Sequence, residues 1–379
     1  MKNPEFCVCF ITCLRAWFRL SRNLLAMMVA SLMLVSPALA VGAGGGNGSK
    51  PVLSTKVFDY YLSGSPANIS FDKPATQMTV LMGGGLDVDK AFEDMIRKAR
   101  GSSTNKVDVV VIRASGADDY NTYLLNMEGV DSVETLVIKS SSAFADLKVN
   151  EKIISVMSGA DVLFIAGGDQ WNYISQWNET SLEKTIKNVL LPRHVPIGGT
   201  SAGLAVLGSV DFSAQNGTIT SLEALSNPYA PRLTLDSTFL ETLPRLQNTI
   251  VDSHLVSRDR MGRLVTFLAR MITMGIPWHT ARAIGVDDGT AVVIDGDVAV
   301  VHANSAGTGA AYFLKLPQDP GPTLVVKAQT PLEVSSVQVD KITGAVGDRF
   351  DMANWLRTNG SVYFLFVYGG VLYGKASPY

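Results

Sequence analysis

The chain has 379 residues, 47% of them hydrophobic and 17% charged, with a formal net charge of −2. That length and apolar content can bury a large core, enough for two compact units or one elaborated domain. The nearly balanced charge gives no reason to expect nucleic acid as a partner.

The first forty residues read as a targeting segment. Arg15, Arg19 and Arg22 precede an apolar run from Leu24 to Val35, Ser36-Pro37 breaks it, and Ala38-Leu39-Ala40 is a small-residue cleavage signal. The run is too short to span a bilayer comfortably, so a signal peptide over 1–40 and an exported product are expected, periplasmic or extracellular, with no membrane attachment after cleavage. Cleavage would remove four basic residues and one acidic one, leaving a net charge of −5, and would remove Cys7, Cys9 and Cys13. Disulfides, a thiol nucleophile and a cysteine metal site are thereby excluded from the mature chain.

Residues 41–77 are expected to be a glycine-rich linker and an N-terminal segment. From Met78 short apolar runs alternate with amphipathic stretches. Met78–Met82 predicts a strand, followed by Gly83-Gly84-Gly85 and a helix capped by Asp87 or Asp89 and stopped by Gly101. Val109–Ile112, Val133–Ile138, Asp161–Ala166 and the stretch from Val195 predict further strands. Runs this apolar, separated by helices, predict an α/β fold with a mostly parallel sheet flanked by helices. This catalytic core is assigned to 78–281. After about Arg282 the pattern becomes β-rich, with a hairpin about Asp295-Gly296 and strands at Thr323–Val326, Val334–Val339 and Val362–Tyr368. Residues 282–379 are read as an extension that pairs with the main sheet or forms a small layer of its own. Gly83–Gly85, Gly167-Gly168 and Gly198-Gly199 are read as turns at carboxyl ends of strands, where ligand sites of such sheets form.

The chemistry centres on Gly199-Thr200-Ser201-Ala202-Gly203, placed after an extended stretch and before a potential helix. This is the layout of a nucleophile elbow, in which a strained turn lifts a serine clear of its neighbours. A serine nucleophile needs a base and the base an orienting acid. Of the four histidines, only His254 follows an apolar run at a strand's carboxyl end in a position to face the elbow. Glu223 is the preferred acid, with Asp211, Asp236 and Asp288 as rivals. The amide of Ala202 supplies one oxyanion donor by elbow geometry, and Gly168 is the best placed to supply a second. Arg258, Arg260 and Arg263 gather around the helix after His254, a cluster suited to a carboxylate-rich substrate.

Four segments together resemble the cyanophycinase family, serine peptidases related to aspartyl dipeptidase with a class I glutaminase-like core. They are Phe164-Ile-Ala-Gly-Gly-Asp-Gln170, Gly199-Thr-Ser-Ala-Gly203, Asp252-Ser-His254 running into Arg258–Leu264, and Ile284-Gly-Val-Asp-Asp-Gly-Thr-Ala291. The resemblance implies Ser201 as nucleophile, His254 as base and Glu223 as third member, while Asp288, in the better matched segment, stays open. It implies an oxyanion hole at Gly168 and Ala202, with Gln170, Arg258, Arg260 and Arg263 contacting substrate. It further implies hydrolysis of cyanophycin, a poly-aspartate with arginine on each β-carboxyl, to β-Asp-Arg dipeptides, with no metal or organic cofactor and a homodimeric state. Ser253 stands where intracellular members have glutamine, and the stretch between Ser201 and His254 is longer, so the loop from Asp211 to Leu243 is expected to reshape the pocket. Two other functions stay open: a dipeptidase or isoaspartyl-type peptidase acting on small aspartyl peptides, and a non-catalytic binding protein of the same fold.

Overall fold

In a computed structural model of the protein, the described residues are 49–66, 74–237, 239–304, 309–317 and 321–379. The expected signal peptide, and the glycine-rich part of the linker up to residue 48, lie outside them.

The core elements follow in chain order: β1 (Phe58–Gly64), β2 (Met78–Met82), α1 (Asp89–Arg100), β3 (Val107–Arg113), α2 (Asp119–Leu125), β4 (Val130–Ile138), α3 (Leu147–Gly159), β5 (Val162–Ile165), α4 (Gln170–Trp177), β6 (Ile197–Thr200), α5 (Ala202–Ala205) and α6 (Ser221–Ser226). The second half adds β7 (Thr249–Asp252), α7 (Met261–Thr273), β8 (Arg282–Val286), β9 (Thr290–Asp295), β10 (Val298–Ala303), β11 (Ala310–Lys315), β12 (Glu333–Thr343), β13 (Ser361–Tyr368) and β14 (Val371–Tyr373).

The larger sheet runs β1-β4-β3-β5-β6-β2-β9-β10, with two-residue strands at each edge. Its middle, β4-β3-β5-β6-β2, is parallel. β1 and the β9–β10 hairpin pair antiparallel on either side. The result is a mixed sheet around a parallel centre. β1 falls inside the expected N-terminal segment and is a full strand of the sheet, flanked on its outer side only by Leu53-Ser54.

Alternation explains why helices cover both faces. On β3, Val107, Val109 and Val111 enter the cluster beneath α1 and α2. Val110 and Ile112 enter the opposite cluster, beneath α3 and α4. β5 divides the same way, with Val162 and Phe164 on one face and Leu163 and Ile165 on the other. Each such side chain stabilises the fold by roughly 1.5–3 kcal/mol when fully buried. α1 buries Ala91, Phe92, Met95, Ile96 and Ala99 on one stripe and ends at Gly101 with φ 61°. Its N-cap is Val88, which makes no side-chain cap bond, so neither Asp87 nor Asp89 caps it. Asp89, the first helical residue, instead faces the positive end of the helix dipole.

The region after Arg282 takes both courses left open for it. β9 and β10 extend the larger sheet, whereas β8 pairs parallel with β7 and opens a second sheet, β7-β8-β11-β12-β13-β14. The described residues form one compact unit. α7 packs on the second sheet through Leu264, Val265, Leu268 and Met271, in a cluster that also holds Ala283, Tyr312 and Leu314. The chain therefore crosses between sheets twice near the site, into the second at β7 and back to the first between β8 and β9.

Asp211 lies in a two-stranded ladder opposite Asp236 and is 1% exposed. Its Oδ1 has no partner among the described residues. Burial, with the charges of Asp236 and Glu241 adding to it, pushes its carboxyl well above the ordinary 3.8. A carboxyl raised in the folded state contributes stability below its unfolded pKa and loses it as pH rises through the folded one. Wild-type stability should therefore be lower at about pH 8 than at about pH 5. The fall is about 1.4 kcal/mol for each pH unit over which the carboxyl stays protonated in the folded chain and ionised in the unfolded one. Asp211→Asn should remove this fall. Urea unfolding of both proteins at the two pH values checks it, and equal pH dependence would sink the assignment.

Candidate active site

Strands β2, β5, β6, β7 and β8 all deliver their carboxyl ends to one place. After β6 the backbone turns at Ser201, whose φ of 53° and ψ of −110° are strained for a residue with a Cβ. α5 begins at the next residue. The Ser201 amide donates to the Met82 carbonyl at 3.1 Å, which ties the elbow to the neighbouring strand. Gly198 and Gly199 lie within β6 and do not form a turn after it. A Cβ on Gly199 would come within 2.3 Å of the Gly203 carbonyl oxygen, so the glycine is needed for α5 to fold back against its own strand.

His254 follows β7 with φ 51°, and its amide donates to the Gly83 carbonyl at 2.8 Å. Its Nε2 lies 2.7 Å from Ser201 Oγ, and its Nδ1 lies 2.5 Å from Asp288 Oδ1. Asp288 stands in the short link between β8 and β9, where the chain passes from the second sheet back to the first. Burial alone would raise its carboxyl, but the hydrogen bond and charge of His254, backed by Ser257 and Arg258, hold it below the ordinary aspartate value. Gly84, at φ 101°, packs flat against the imidazole: a Cβ there would meet His254 Cε1 at 2.2 Å. The sequence offered Gly84 only as one of three consecutive glycines, and its place beneath His254 shows only in three dimensions.

Glu223 is not brought to His254. It is the third residue of α6, and its carboxylate accepts from both the amide and the hydroxyl of Thr220 at 3.0 Å. Thr220 caps the Glu223 amide in return, and Arg232 pairs with the outer oxygen at 3.2 Å. The hydrogen bonds from the Thr220 amide and hydroxyl hold its carboxyl below the ordinary value. Glu223 thus closes a capping box, which the pattern Thr-x-x-Glu signals. This corrects the expectation that it orients His254, because one of its oxygens is held by Thr220 at the start of its own helix and the other by Arg232. The rivals Asp211 and Asp236 pair with each other across their ladder, leaving Asp288 on His254.

The cleft beside Ser201 has a volume of about 410 Å³. Gly168, Gln170, Ala202, Asp252, Ser253 and the three arginines line it, and Ala214, Gly217, Thr218, Ile219 and Thr220 form one wall. That wall belongs to the long stretch between Ser201 and His254. Gln170 begins α4 and donates through Nε2 to the Phe212 carbonyl at 3.2 Å, bracing the wall.

The arginines differ from one another. Arg263 is 2% exposed; its Nε and Nη2 form a fork on Asp252 at 2.7 and 2.6 Å. Its Nη1 donates to Thr218 Oγ1 and the Ile219 carbonyl at 3.1 and 3.3 Å. These bonds fasten the cleft wall to β7 and leave the guanidinium committed to the protein, against the expectation of a substrate contact. Arg260 donates to the Ser253 carbonyl at 2.8 Å and lies 3.5 Å from Asp252. Burial, with Arg263 and Arg258 nearby, lowers it to about 10, so it stays cationic at neutral pH. Arg258 is exposed on the turn before α7 and lines the cleft mouth.

The remaining histidines are engaged elsewhere. His194 Nδ1 lies 2.7 Å from the Pro74 carbonyl, His302 Nε2 lies 2.8 Å from Asp94 Oδ2, and the ring of His279 packs edge-on against Trp278.

A hydroxyl on an imidazole that is itself held by a carboxylate, beside a cleft lined by three arginines and two aspartates, is equipped for nucleophilic attack on a carbonyl. Comparison with known proteins agrees. Residues 79–301, more than half of the chain, match the family model of peptidase family S51. The chain is 25% identical over 287 residues to the cyanophycinases of Trichormus variabilis and of a Nostoc strain, covering 73% of this chain and 87% of each relative. It is 28% identical over 171 residues to that of Synechococcus elongatus, covering 45% of this chain and 46% of the relative. Among solved structures, a peptidase from an acI-B1 Actinobacterium is similar with a TM-score of 0.45 and 14% identity over 73% of this chain and 97% of that one.

Proposed function

The chain belongs to peptidase family S51 and is a cyanophycinase-like serine peptidase; from that premise we propose that it is exported and degrades cyanophycin through an acyl-enzyme on Ser201. The observation that carries the chemistry is the continuous relay Ser201–His254–Asp288 opening on the arginine-bearing cleft. His254 Nε2 takes the Ser201 proton as Oγ attacks the scissile carbonyl. The amides of Ala202 and Gly168 hold the oxyanion. When the C–N bond breaks, His254 returns the proton to the leaving amine. Water then attacks the ester carbonyl with His254 again as base, and the acid product leaves with Ser201 restored.

Arg260 and Arg258 would meet the free carboxylates of the substrate, Gln170 would border it, and Arg263 would keep the wall in place behind them. Asp288, exposed over 40% of its side chain, orients the histidine from the solvent side. Export rests on the N-terminal reading, and assembly into homodimers rests on the family resemblance.

Purified mature protein beginning at Val41, incubated with insoluble cyanophycin, should clear the suspension and release β-Asp-Arg, identified by mass spectrometry. A folded protein that leaves the polymer untouched but hydrolyses short aspartyl peptides would replace cyanophycin by the dipeptidase reading. Absence of activity from both the periplasm and the medium of the source cells would remove export.

A further inference from the structure

The aromatic pair beneath the oxyanion turn has no part in the relay, yet one of its members touches the turn at two points. Tyr173, on α4, is 1% exposed and stacks on Trp177 with centroids 4.3 Å apart. Its hydroxyl lies 2.9 Å from the Ala166 carbonyl and 2.9 Å from the Gly167 carbonyl. These are the two consecutive carbonyls leading into Gly168. A buried phenol needs a partner, and here one hydroxyl is shared between two peptide groups.

In a trans peptide the C=O and the following N–H point in opposite directions. Turning the Gly167 carbonyl onto Tyr173 therefore turns the Gly168 N–H away from Tyr173. Gly167 packs against the nucleophile, since a Cβ on it would lie 3.6 Å from Ser201 Cβ. Gly168 itself lines the cleft with Ser201. Space is tight on the tyrosine side: a Cβ on Gly168 would stand 2.7 Å from the Tyr173 hydroxyl.

We infer that Tyr173 is a positioning residue, whose hydroxyl clamps the Ala166–Gly168 peptides so that the Gly168 amide faces the oxyanion formed at Ser201. This rests on the proposed roles of Ser201 and Gly168. The clamp acts only when negative charge develops on the substrate oxygen, so its loss should slow chemistry and leave ground-state binding alone.

The test is the kinetics of Ser201 labelling by a fluorophosphonate, resolved into a maximal rate and a half-saturating concentration, for wild type and Tyr173→Phe. Deleting an oxyanion donor outright costs about 10²–10³-fold, so mis-aiming one should lower the maximal rate by about 10–100-fold. The half-saturating concentration should stay within about twofold, and every site should be labelled at the end point. An unchanged maximal rate overturns the inference, whether the labelled fraction falls or not, because a purely structural tyrosine would only reduce the number of competent sites. A raised half-saturating concentration with the rate preserved also overturns it. Gly168→Ala supplies the second arm: its methyl group should slow wild type by a similar factor and add little in the Tyr173→Phe background. Additive losses would overturn the shared clamp. A labelled wild type with an unaffected variant removes only this inference, whereas a wild type that the probe does not label removes the Ser201 reading and this inference together.

Discussion

Replacing Ser201 by alanine should lower kcat on cyanophycin by roughly 10⁵–10⁶-fold while leaving the fold intact. As the proposed nucleophile, Ser201 would contribute a covalent route that no neighbour can supply, and removal of one member of such a relay costs nearly as much as removal of all. Little stability should be lost. The elbow's positive φ is imposed by the Met82 and Gly203 contacts on either side, and alanine can adopt it as well as serine. The thermal midpoint should shift by an amount equivalent to about 1 kcal/mol or less. Turbidity clearing and active-serine labelling check the first part, and a melting curve checks the second. A Ser201→Ala protein that still clears the polymer at more than about one hundredth of the wild-type rate would exclude Ser201 as nucleophile.

The second large effect separates two carboxylates that compete for His254 in the sequence. Asp288→Asn should reduce kcat by about 10⁴-fold, because an amide at Nδ1 no longer fixes the proton-bearing nitrogen or stabilises the imidazolium. Glu223→Gln should change kcat by less than about threefold. Its carboxylate serves Thr220 and Arg232 at the start of α6, and loss of that cap should cost about 1 kcal/mol or less. The pH profile adds an independent check. Asp288 is held below its ordinary pKa, so it is ionised throughout the neutral range and protonates only as pH falls through that depressed value. Neither Asp288 nor Glu223, both held below their ordinary values, should therefore set a limb of activity near neutrality, and Glu223→Gln should leave the pH profile there unmoved. Reversal of the two mutants, with Glu223→Gln inactive and Asp288→Asn active, would overturn the assignment.

The two carboxylates also show where local sequence stops being informative. Thr220-Ser-Leu-Glu223 carries a complete local instruction, a capping box satisfied within four residues, and that instruction is legible in the four residues themselves. It speaks for a helix start and against a free carboxylate. Asp288 carries no local instruction of comparable weight. Its place on His254 depends on β8 lying beside β7 in one sheet while β9 lies beside β2 in the other, so that the two-sheet crossover drops it onto the imidazole. The arginines divide in the same way. Their clustering around α7 followed from spacing, but Asp252 claims Arg263 because that guanidinium points inward beneath the cleft wall.

Short-range stereochemistry and residue pattern were enough to define the parts of the molecule. The alternating apolar runs specified strands buried on both faces, the amphipathic stripe and Gly101 specified α1, and the small residues around Ser201 permitted only a tight elbow. His254 stood out because there were few histidines and only one followed a strand at its carboxyl end. The pairings between distant segments needed the assembled fold: the place of β1 in the larger sheet, the division of the β-rich region between two sheets, Gly84 beneath the imidazole, Asp288 as its partner, and Tyr173 under the Gly167-Gly168 turn. Most hydrogen-bonding and packing partners of this kind lie far apart along the chain, and local propensities place no constraint on them until the sheets close and their loops meet.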